Sequence, residues 1–315
     1  MECCCDDVHC AGGDDSLTVS EFAVVQSYRR GVIYILLAGV FMSTSGVLVR
    51  QIESANPWTV LFYRSLAFSA TVFLFMWIRQ VRSSSSGSLF AQFKPGHWTD
   101  IVVTLSLATS FTGYIMSLFH TSVANTVLII STGPVMAALL AWVSLRERIS
   151  GLTAVATAGA IIGVLIMVSG GIGASDIKGI LYSFIAVFAF AIMVVSLRYS
   201  HRSDSMPFTC LAGLVAASLS ILLLPTFAIS VHDLLVALSL GSIQIGVGFI
   251  LITSGSKSVP SAEIPLLCLG ETALAPLWVW LAVAEIPARN TLIGGAFVLS
   301  AVLLQGILGI VNSRR

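Results

Sequence analysis

Charged side chains are scarce in this chain. Its 315 residues include 16 Lys or Arg and 15 Asp or Glu, so 10% are charged while 57% are hydrophobic. Soluble domains carry about 25% charged residues. This deficit excludes an ordinary water-soluble domain and predicts an integral membrane protein whose first partner is the lipid bilayer.

Several functional signatures are also missing from the sequence. No basic cluster resembles a nucleic-acid footprint, and the formal net charge is only +1. There is no His-Glu-x-x-His, no Gly-x-Ser-x-Gly and no Asp-rich metal motif. We therefore expect no nucleic-acid partner, no metal, no cofactor and no enzymatic activity.

The N-terminus lacks Lys and Arg before Arg29 and is acidic, which argues against a signal peptide. We predict that residues 1–28 form a disordered cytoplasmic tail. Four cysteines lie at positions 3, 4, 5 and 10, and three readings remain open for them: free thiols, palmitoylation, or a metal site with His9. Cys210 and Cys268 lie in apolar segments, where cysteine behaves as a small hydrophobic residue.

The remaining sequence predicts an all-α membrane protein with ten spans joined by short loops. A helix crosses the bilayer with about 20 apolar residues. The expected spans are 31–49, 57–79, 98–119, 121–144, 151–170, 177–197, 206–229, 233–255, 260–284 and 290–311. Residues 29–170 and 171–315 then each form a five-helix unit. An odd number of helices inserts the second unit from the opposite side, giving inverted repeats.

The distribution of basic residues predicts the orientation of these spans. With the N-terminus in the cytoplasm, twelve of the Lys and Arg residues fall on the cytoplasmic side and three fall in outside loops. Only Arg64 lies within a span. The positive-inside rule therefore predicts that both termini are cytoplasmic. The tryptophans, including Trp278, fall toward span ends, as expected of an interfacial belt.

Two stretches of sequence are related by an offset of 138 residues. Ala124 corresponds to Ala262 and Glu147 to Glu285, and each stretch precedes a helix rich in small residues. The identities are few, but their equivalent positions in two equal halves favour a duplication.

These motifs resemble the EamA-type, ten-helix members of the drug/metabolite transporter superfamily. The resemblance covers roughly residues 30–311 and is carried by Phe62-Tyr63-Arg64, Leu145-Arg146-Glu147-Arg148-Ile149-Ser150, the Ala156/Gly163 pattern, Glu285 and Gly294-Gly295-Ala296. It implies two inverted EamA-like repeats and transport of small metabolites by alternating access. It does not imply which metabolite is carried, since relatives take amino acids, nucleobases, cofactors or organic acids. The sequence departs from internal symmetry at Glu271, which stands opposite Gly133 of the first half.

Glu271 is the sharpest candidate for a functional residue. It lies near the middle of span nine, where a carboxylate is costly unless it faces a cavity or a partner. Pro276 cannot donate to the carbonyl of Thr272, so a freed acceptor lies beside the acid. Glu271 is expected to carry a proton or bind a cationic group, or else to be a protonated structural acid. If Arg64 approaches it, Glu271 becomes a fixed gate.

Other candidates extend this site. Arg64 either snorkels to the outer surface or pairs with an anionic substrate or Glu271, and Gln244 either binds substrate or bridges helices. The remaining substrate or proton candidates are Tyr114, Asn125 and Thr132; gate or helix-end candidates are Glu263, Glu147 and Glu285; helix-breaking candidates are Pro134, Pro265 and Pro276.

The sequence thus favours a secondary transporter of a small polar metabolite, coupled to protons through Glu271. One alternative is a nucleotide-sugar or phosphate-ester antiporter of an internal membrane, which would need more than one intramembrane cation. A non-transporting scaffold or an intramembrane enzyme are further alternatives. The plasma membrane is favoured over an internal one. Gly159 and Gly163 form a small-xxx-small pattern that packs helices within the chain or in a homodimer.

Overall fold

The structure, a computed structural model, describes the backbone of residues 15–82, 89–145, 151–168, 174–199, 205–256, 258–259, 264–284, 286 and 288–313. Within these ranges the regular structure is helical throughout. The α-helices are α1 (Asp15–Ser43), α2 (Ser45–Arg50), α3 (Pro57–Arg82), α4 (Trp98–His120), α5 (Val123–Ile130), α6 (Gly133–Leu145), α7 (Gly151–Val168), α8 (Ala174–Tyr199), α9 (Met206–Leu223), α10 (Val231–Ser239), α11 (Gly248–Gly255), α12 (Ile264–Val283) and α13 (Arg289–Ser313). A 3-10 helix covers Leu89–Phe93, and a π-helix covers Leu240–Val247.

Seven described segments are long and apolar enough to cross a membrane. They are Gln26–Arg50, Pro57–Arg82, Trp98–His120, Val123–Val143, Ile177–Leu197, Met206–Leu223 and Val231–Gly255. Two shorter apolar helical segments, Leu274–Val283 and Leu292–Ala301, lie within α12 and α13. The protein is therefore an all-helical, multi-pass membrane protein. Each of the ten predicted spans coincides with at least one helix of the structure.

Two helix ends differ from the sequence-based expectation. α9 ends at Leu223 rather than at residue 229, because Leu224 is extended (ψ 136°) and precedes Pro225. A residue before proline is driven out of the helical region. α1 begins at Asp15, inside the segment predicted to be a disordered tail. Residues 15–28 contain neither glycine nor proline, so the helix continues backwards from the first span. Residues 1–14 lie outside the described residues.

Two of the spanning segments are broken at serine and threonine. Between α1 and α2, the Ser43 hydroxyl donates to the Val40 carbonyl and the Thr44 hydroxyl to the Phe41 carbonyl, both at 2.7 Å. Between α5 and α6, Ser131 and Thr132 bond back to carbonyls three residues earlier in the same way. Such side chains compete with the backbone ladder, and they leave irregular backbone inside the bundle.

The helices pack across the two halves of the chain. α4 packs against α8, α3 against α9, α7 against α13, and α1 against both α11 and α12. Further contacts join α4 to α9, α3 to the π-helix and α6 to α8. Glycine allows the closest approaches: a Cβ on Gly241 would lie 2.1 Å from the Arg64 carbonyl oxygen. Gly163 contacts Gly294 of α13, so this part of the small-xxx-small pattern packs inside the chain.

Asp233 ties the loop between α2 and α3 to the start of α10. Its carboxylate is fully buried and accepts hydrogen bonds from the backbone N–H groups of Glu53, Ser54 and Ala55 at 3.0 to 3.1 Å. The Ser54 hydroxyl donates a fourth bond, at 3.0 Å. One side chain therefore joins helices from the two halves at this end of the bundle.

Replacing Asp233 by asparagine is expected to destabilise the protein by about 1–3 kcal/mol. Asparagine replaces one carboxylate oxygen with an NH2 group, a donor that would face the backbone N–H donors. The remaining hydrogen bonds are weaker because their acceptor no longer carries a charge. Thermal unfolding of the purified protein measures the effect. Ser230→Ala is the matched control, because Ser230 only caps α10 by accepting from the Asp233 N–H. Equal melting temperatures for Asp233→Asn and the parent would show that this loop contact contributes nothing.

Candidate functional site

Polar side chains from several helices converge on the break between α1 and α2. The Gln244 Nε2 of the π-helix donates to the Met42 carbonyl at 3.1 Å. The Trp278 Nε1 of α12 donates to the Ser43 hydroxyl at 3.1 Å, and the Tyr114 hydroxyl of α4 bonds to the Ser45 hydroxyl. Together with two charged side chains described next, these residues form what we call the central polar cluster. Its members are Ser43, Ser45, Arg64, Tyr114, Gln244, Glu271 and Trp278.

Arg64 contributes a buried cation to the central polar cluster. Its side chain is fully buried in α3, and its three guanidinium nitrogens have no hydrogen-bond partner among the described residues. The guanidinium carbon lies 5.4 Å from the ring centre of Phe111, within cation–π range. A cation–π contact contributes about 0.5–2 kcal/mol, whereas burying an unpaired ion costs several kcal/mol. Arg64 therefore does not snorkel to a surface, and it retains unused donors.

Glu271 contributes the acid of the central polar cluster. It is half-buried on α12, and a Cβ on Gly39 of α1 would lie 3.7 Å from its backbone nitrogen. Tyr114 interacts electrostatically with both Glu271 and Arg64. Among the described residues, however, no ion pair joins Arg64 to Glu271. The acid is thus available to gain or lose a proton without breaking a salt bridge to Arg64.

The structure brings together four of the six predicted substrate or proton residues. Arg64, Tyr114, Gln244 and Glu271 all belong to the central polar cluster. Gln244 bridges two helices through Nε2, while its buried Oε1 has no partner in the described part of the chain.

The other two predicted substrate or proton residues bond within their own segment. Asn125 donates to the Thr121 hydroxyl, and Thr132 donates to the Ile129 carbonyl.

The predicted helix-breaking prolines lie within described helices, whereas the predicted gate residues do not. Pro134 lies in the first turn of α6, directly after the break, and Pro265 lies in the first turn of α12, where proline is tolerated rather than disruptive. Pro276 lies inside α12, which continues past it. The three gate or helix-end candidates, Glu147, Glu263 and Glu285, lie outside the described residues.

Two members of the site were not recognised from the sequence. Its position near a span end predicts Trp278 at the membrane interface, yet its indole N–H donates to the Ser43 hydroxyl inside the bundle. Its spacing of seven residues from Glu271 puts both on one face of α12, which is a signal the sequence did contain. Phe111, under the guanidinium of Arg64, carries no such signal, because an apolar aromatic residue in a span is ordinarily packing.

The cluster offers two chemical capacities. Arg64 presents a fixed positive charge with free donors, and Glu271 presents a group whose charge depends on its proton. Within the described ranges, no three His, Cys, Asp or Glu side chains lie close enough to hold a metal ion.

Comparisons with known proteins agree with this architecture. Residues 29–169 match the EamA-like transporter family. An "Uncharacterized transporter" of Clostridium kluyveri is 24% identical over 88% of this chain and 93% of its own length. An "Uncharacterized transporter" of Archaeoglobus fulgidus is 29% identical over 88% of this chain and 96% of its own length.

A solved structure, titled "Crystal structure of protein", shares the fold. It superposes with a TM-score of 0.64 at 17% identity, covering 89% of this chain and 98% of its own. At this low identity, the similarity shows the fold alone. The family match and the two relatives named as transporters go further, and they make this chain similar to the EamA-like transporter family through residues 29–169.

Proposed function

We propose that this protein is a secondary transporter that moves a small polar metabolite across its membrane by alternating access. The chain crosses the membrane ten times as two inverted five-helix repeats, with both termini in the cytoplasm. The central polar cluster binds the solute, and Glu271 carries the proton that drives its movement.

The observation that carries this proposal is the pattern of helix packing. In a duplicated chain the spans of the two halves correspond in order. The pair α1 and α2 corresponds to α8, α3 to α9, and α4 to the pair α10 and α11. The pair α5 and α6 corresponds to α12, and α7 corresponds to α13. Exchanging the halves turns the α4–α8 contact into the α1–α11 contact, and the α1–α12 contact into the α6–α8 contact. The same exchange turns the contact between α4 and α9 into the contact between α3 and the π-helix, which lies between α10 and α11. The α3–α9 contact and the α7–α13 contact are each unchanged by the exchange. Every one of these contacts therefore has its counterpart.

Two glycines support the same correspondence locally. A Cβ on Gly31 of α1 would lie 2.9 Å from the Gly255 carbonyl oxygen at the end of α11. A Cβ on Gly179 of α8 would lie 2.7 Å from the His120 carbonyl carbon at the end of α4. In each case the first helix of one half presses on the final turn of the third span of the other half. Two halves related in this way can rock about a site between them.

The central polar cluster is drawn from both halves, as alternating access requires. Ser45, Arg64 and Tyr114 belong to the first, while Gln244 and Glu271 belong to the second. The irregular backbone between α1 and α2 lies in the middle of this cluster, and such backbone is tolerated at membrane depth where protein or a water-filled cavity covers it.

Flux through reconstituted protein tests the proposal. Purified protein in liposomes is given a mixture of amino acids, hydroxy acids, nucleobases and sugars, and the trapped compounds are measured by mass spectrometry. At least one compound is expected to enter faster than into protein-free liposomes, with saturation at high concentration. Folded protein that moves none of these classes of compound would contradict a transport function.

A further inference from the structure

We propose that Arg64 binds the carboxylate of the transported solute and so makes this site selective for small carboxylic acids. The inference rests on the transport function proposed above and names the chemical class of the solute. It starts from the fully buried guanidinium, whose Nε, Nη1 and Nη2 have no hydrogen-bond partner in the described part of the chain.

The described acidic side chains do not supply the missing anion. Asp233 is held by the loop of residues 53–55 at one end of the bundle. Asp100 caps the start of α4, accepting from the backbone of Gly96 and His97. Glu271 lies in the central polar cluster without forming an ion pair with Arg64.

The surroundings of Arg64 hold it in place without neutralising it. Phe111 lies under the guanidinium, and the Arg64 backbone is pressed against Gly241 of the π-helix. Tyr114, which interacts with Arg64 electrostatically, is already bonded to Ser45. Arginine remains charged in proteins, so the positive charge is permanent. A planar fork of unused donors matches a carboxylate, which can accept two parallel hydrogen bonds.

A single cation favours a carboxylate over a phosphate ester. Within the seven long apolar segments, the other Lys and Arg residues lie in the first or last turn, at positions 29, 30, 50, 79, 82 and 178. A phosphate ester carries close to two negative charges at neutral pH. Only one of them would be neutralised at Arg64, and an ionised Glu271 in the same cluster would repel the other.

Binding to purified full-length protein tests the proposal with matched pairs of probes. Lactate and alanine are compared with lactamide and alaninamide, which lack the carboxylate, and with glycerol phosphate. Both carboxylates are expected to bind at least tenfold more tightly than their amides and than glycerol phosphate. Arg64→Met should reduce carboxylate binding at least about a hundredfold, and Arg64→Lys, which keeps the charge but loses the fork, about tenfold. Equal binding of acids and amides, or tighter binding of glycerol phosphate, would overturn the proposal.

A second readout separates binding from a structural role. Removing an unpaired buried charge relieves its desolvation cost, so the ligand-free Arg64→Met protein should melt at or above the temperature of the parent. A melting temperature lowered by several degrees would show that Arg64 is a structural cation, and the proposal would fail.

Flux of the same probes keeps this inference distinct from the proposed function. If carboxylates bind but are not transported, the anion site stands and the transport function is refuted. If neutral solutes are transported and Arg64→Met does not change their flux, the transport function stands and the anion site is refuted.

Discussion

Replacing Glu271 by glutamine is expected to abolish accumulation of solute driven by a pH gradient while leaving the helix bundle folded. Glutamine has the size of the protonated acid but cannot release a proton. Because no ion pair to Arg64 is lost, the substitution removes a titrating group rather than a structural bridge. Proteoliposomes with an imposed pH gradient measure accumulation, and exchange of labelled for unlabelled solute measures the remaining movement. Accumulation should fall to the protein-free level, while exchange is retained.

The matched control for this experiment is Glu53→Gln. Glu53 lies in the loop between α2 and α3 and offers its backbone N–H, rather than its side chain, to Asp233. This variant should accumulate solute like the parent. If Glu271→Gln accumulates solute with the parent's pH dependence, Glu271 is structural and the coupling proposal is wrong.

Replacing Gly241 by alanine is expected to be among the most damaging single-methyl additions to this protein. The new Cβ would lie 2.1 Å from the Arg64 carbonyl oxygen and 2.7 Å from the Ala67 Cβ, so α3 and the π-helix must separate. Overpacking in a well-packed interior costs about 1–3 kcal/mol, and here the obstacle is backbone that cannot turn aside. Thermal unfolding should show a lower melting temperature. Solute flux per folded molecule should also fall, because Arg64 moves with α3.

Gly159→Ala is the control for the cost of a methyl group. Its Cβ would lie 3.6 Å from the Ala301 Cβ, an ordinary contact, and alanine favours the helix by up to about 1 kcal/mol. The melting temperature should stay the same or rise. Equal stability of Gly241→Ala and Gly159→Ala would show that α3 and the π-helix are not held at the described distance.

The sequence was informative about the spans because hydrophobicity is a local property. Each of the ten apolar segments coincides with at least one helix, and α9 is shorter than predicted because Pro225 drives Leu224 out of the helical region. The start of α1 at Asp15 differs from the prediction of a disordered tail. An acidic composition indicates that a segment is soluble, but it does not determine whether that segment continues a spanning helix.

The site was less accessible to sequence reasoning because it depends on which helices meet. Polar side chains are rare and costly at membrane depth, and this predicts a functional role for Arg64, Glu271 and Gln244. The same criterion predicts Asn125 and Thr132, whose side chains donate to the Thr121 hydroxyl and the Ile129 carbonyl. Their role in the site stays a prediction. The criterion missed Trp278, because a tryptophan near a span end fits the interface equally well until its partner Ser43 is known.

Alternating exposure of the central polar cluster is the central claim, and cysteine labelling tests it most directly. Gly39→Cys, in a background without the native cysteines, places a thiol beside Glu271, where a Cβ fits at ordinary contact distance. In the proposed topology, position 84 faces the cytoplasm and position 175 faces the outside. Ser84→Cys and Ser175→Cys should therefore react with an impermeant reagent from opposite sides. The thiol at position 39 is expected to react from the cytoplasmic side under one direction of the pH gradient and from the outside under the other. Reaction from a single side under both gradients, or labelling of positions 84 and 175 from the same side, would contradict the account.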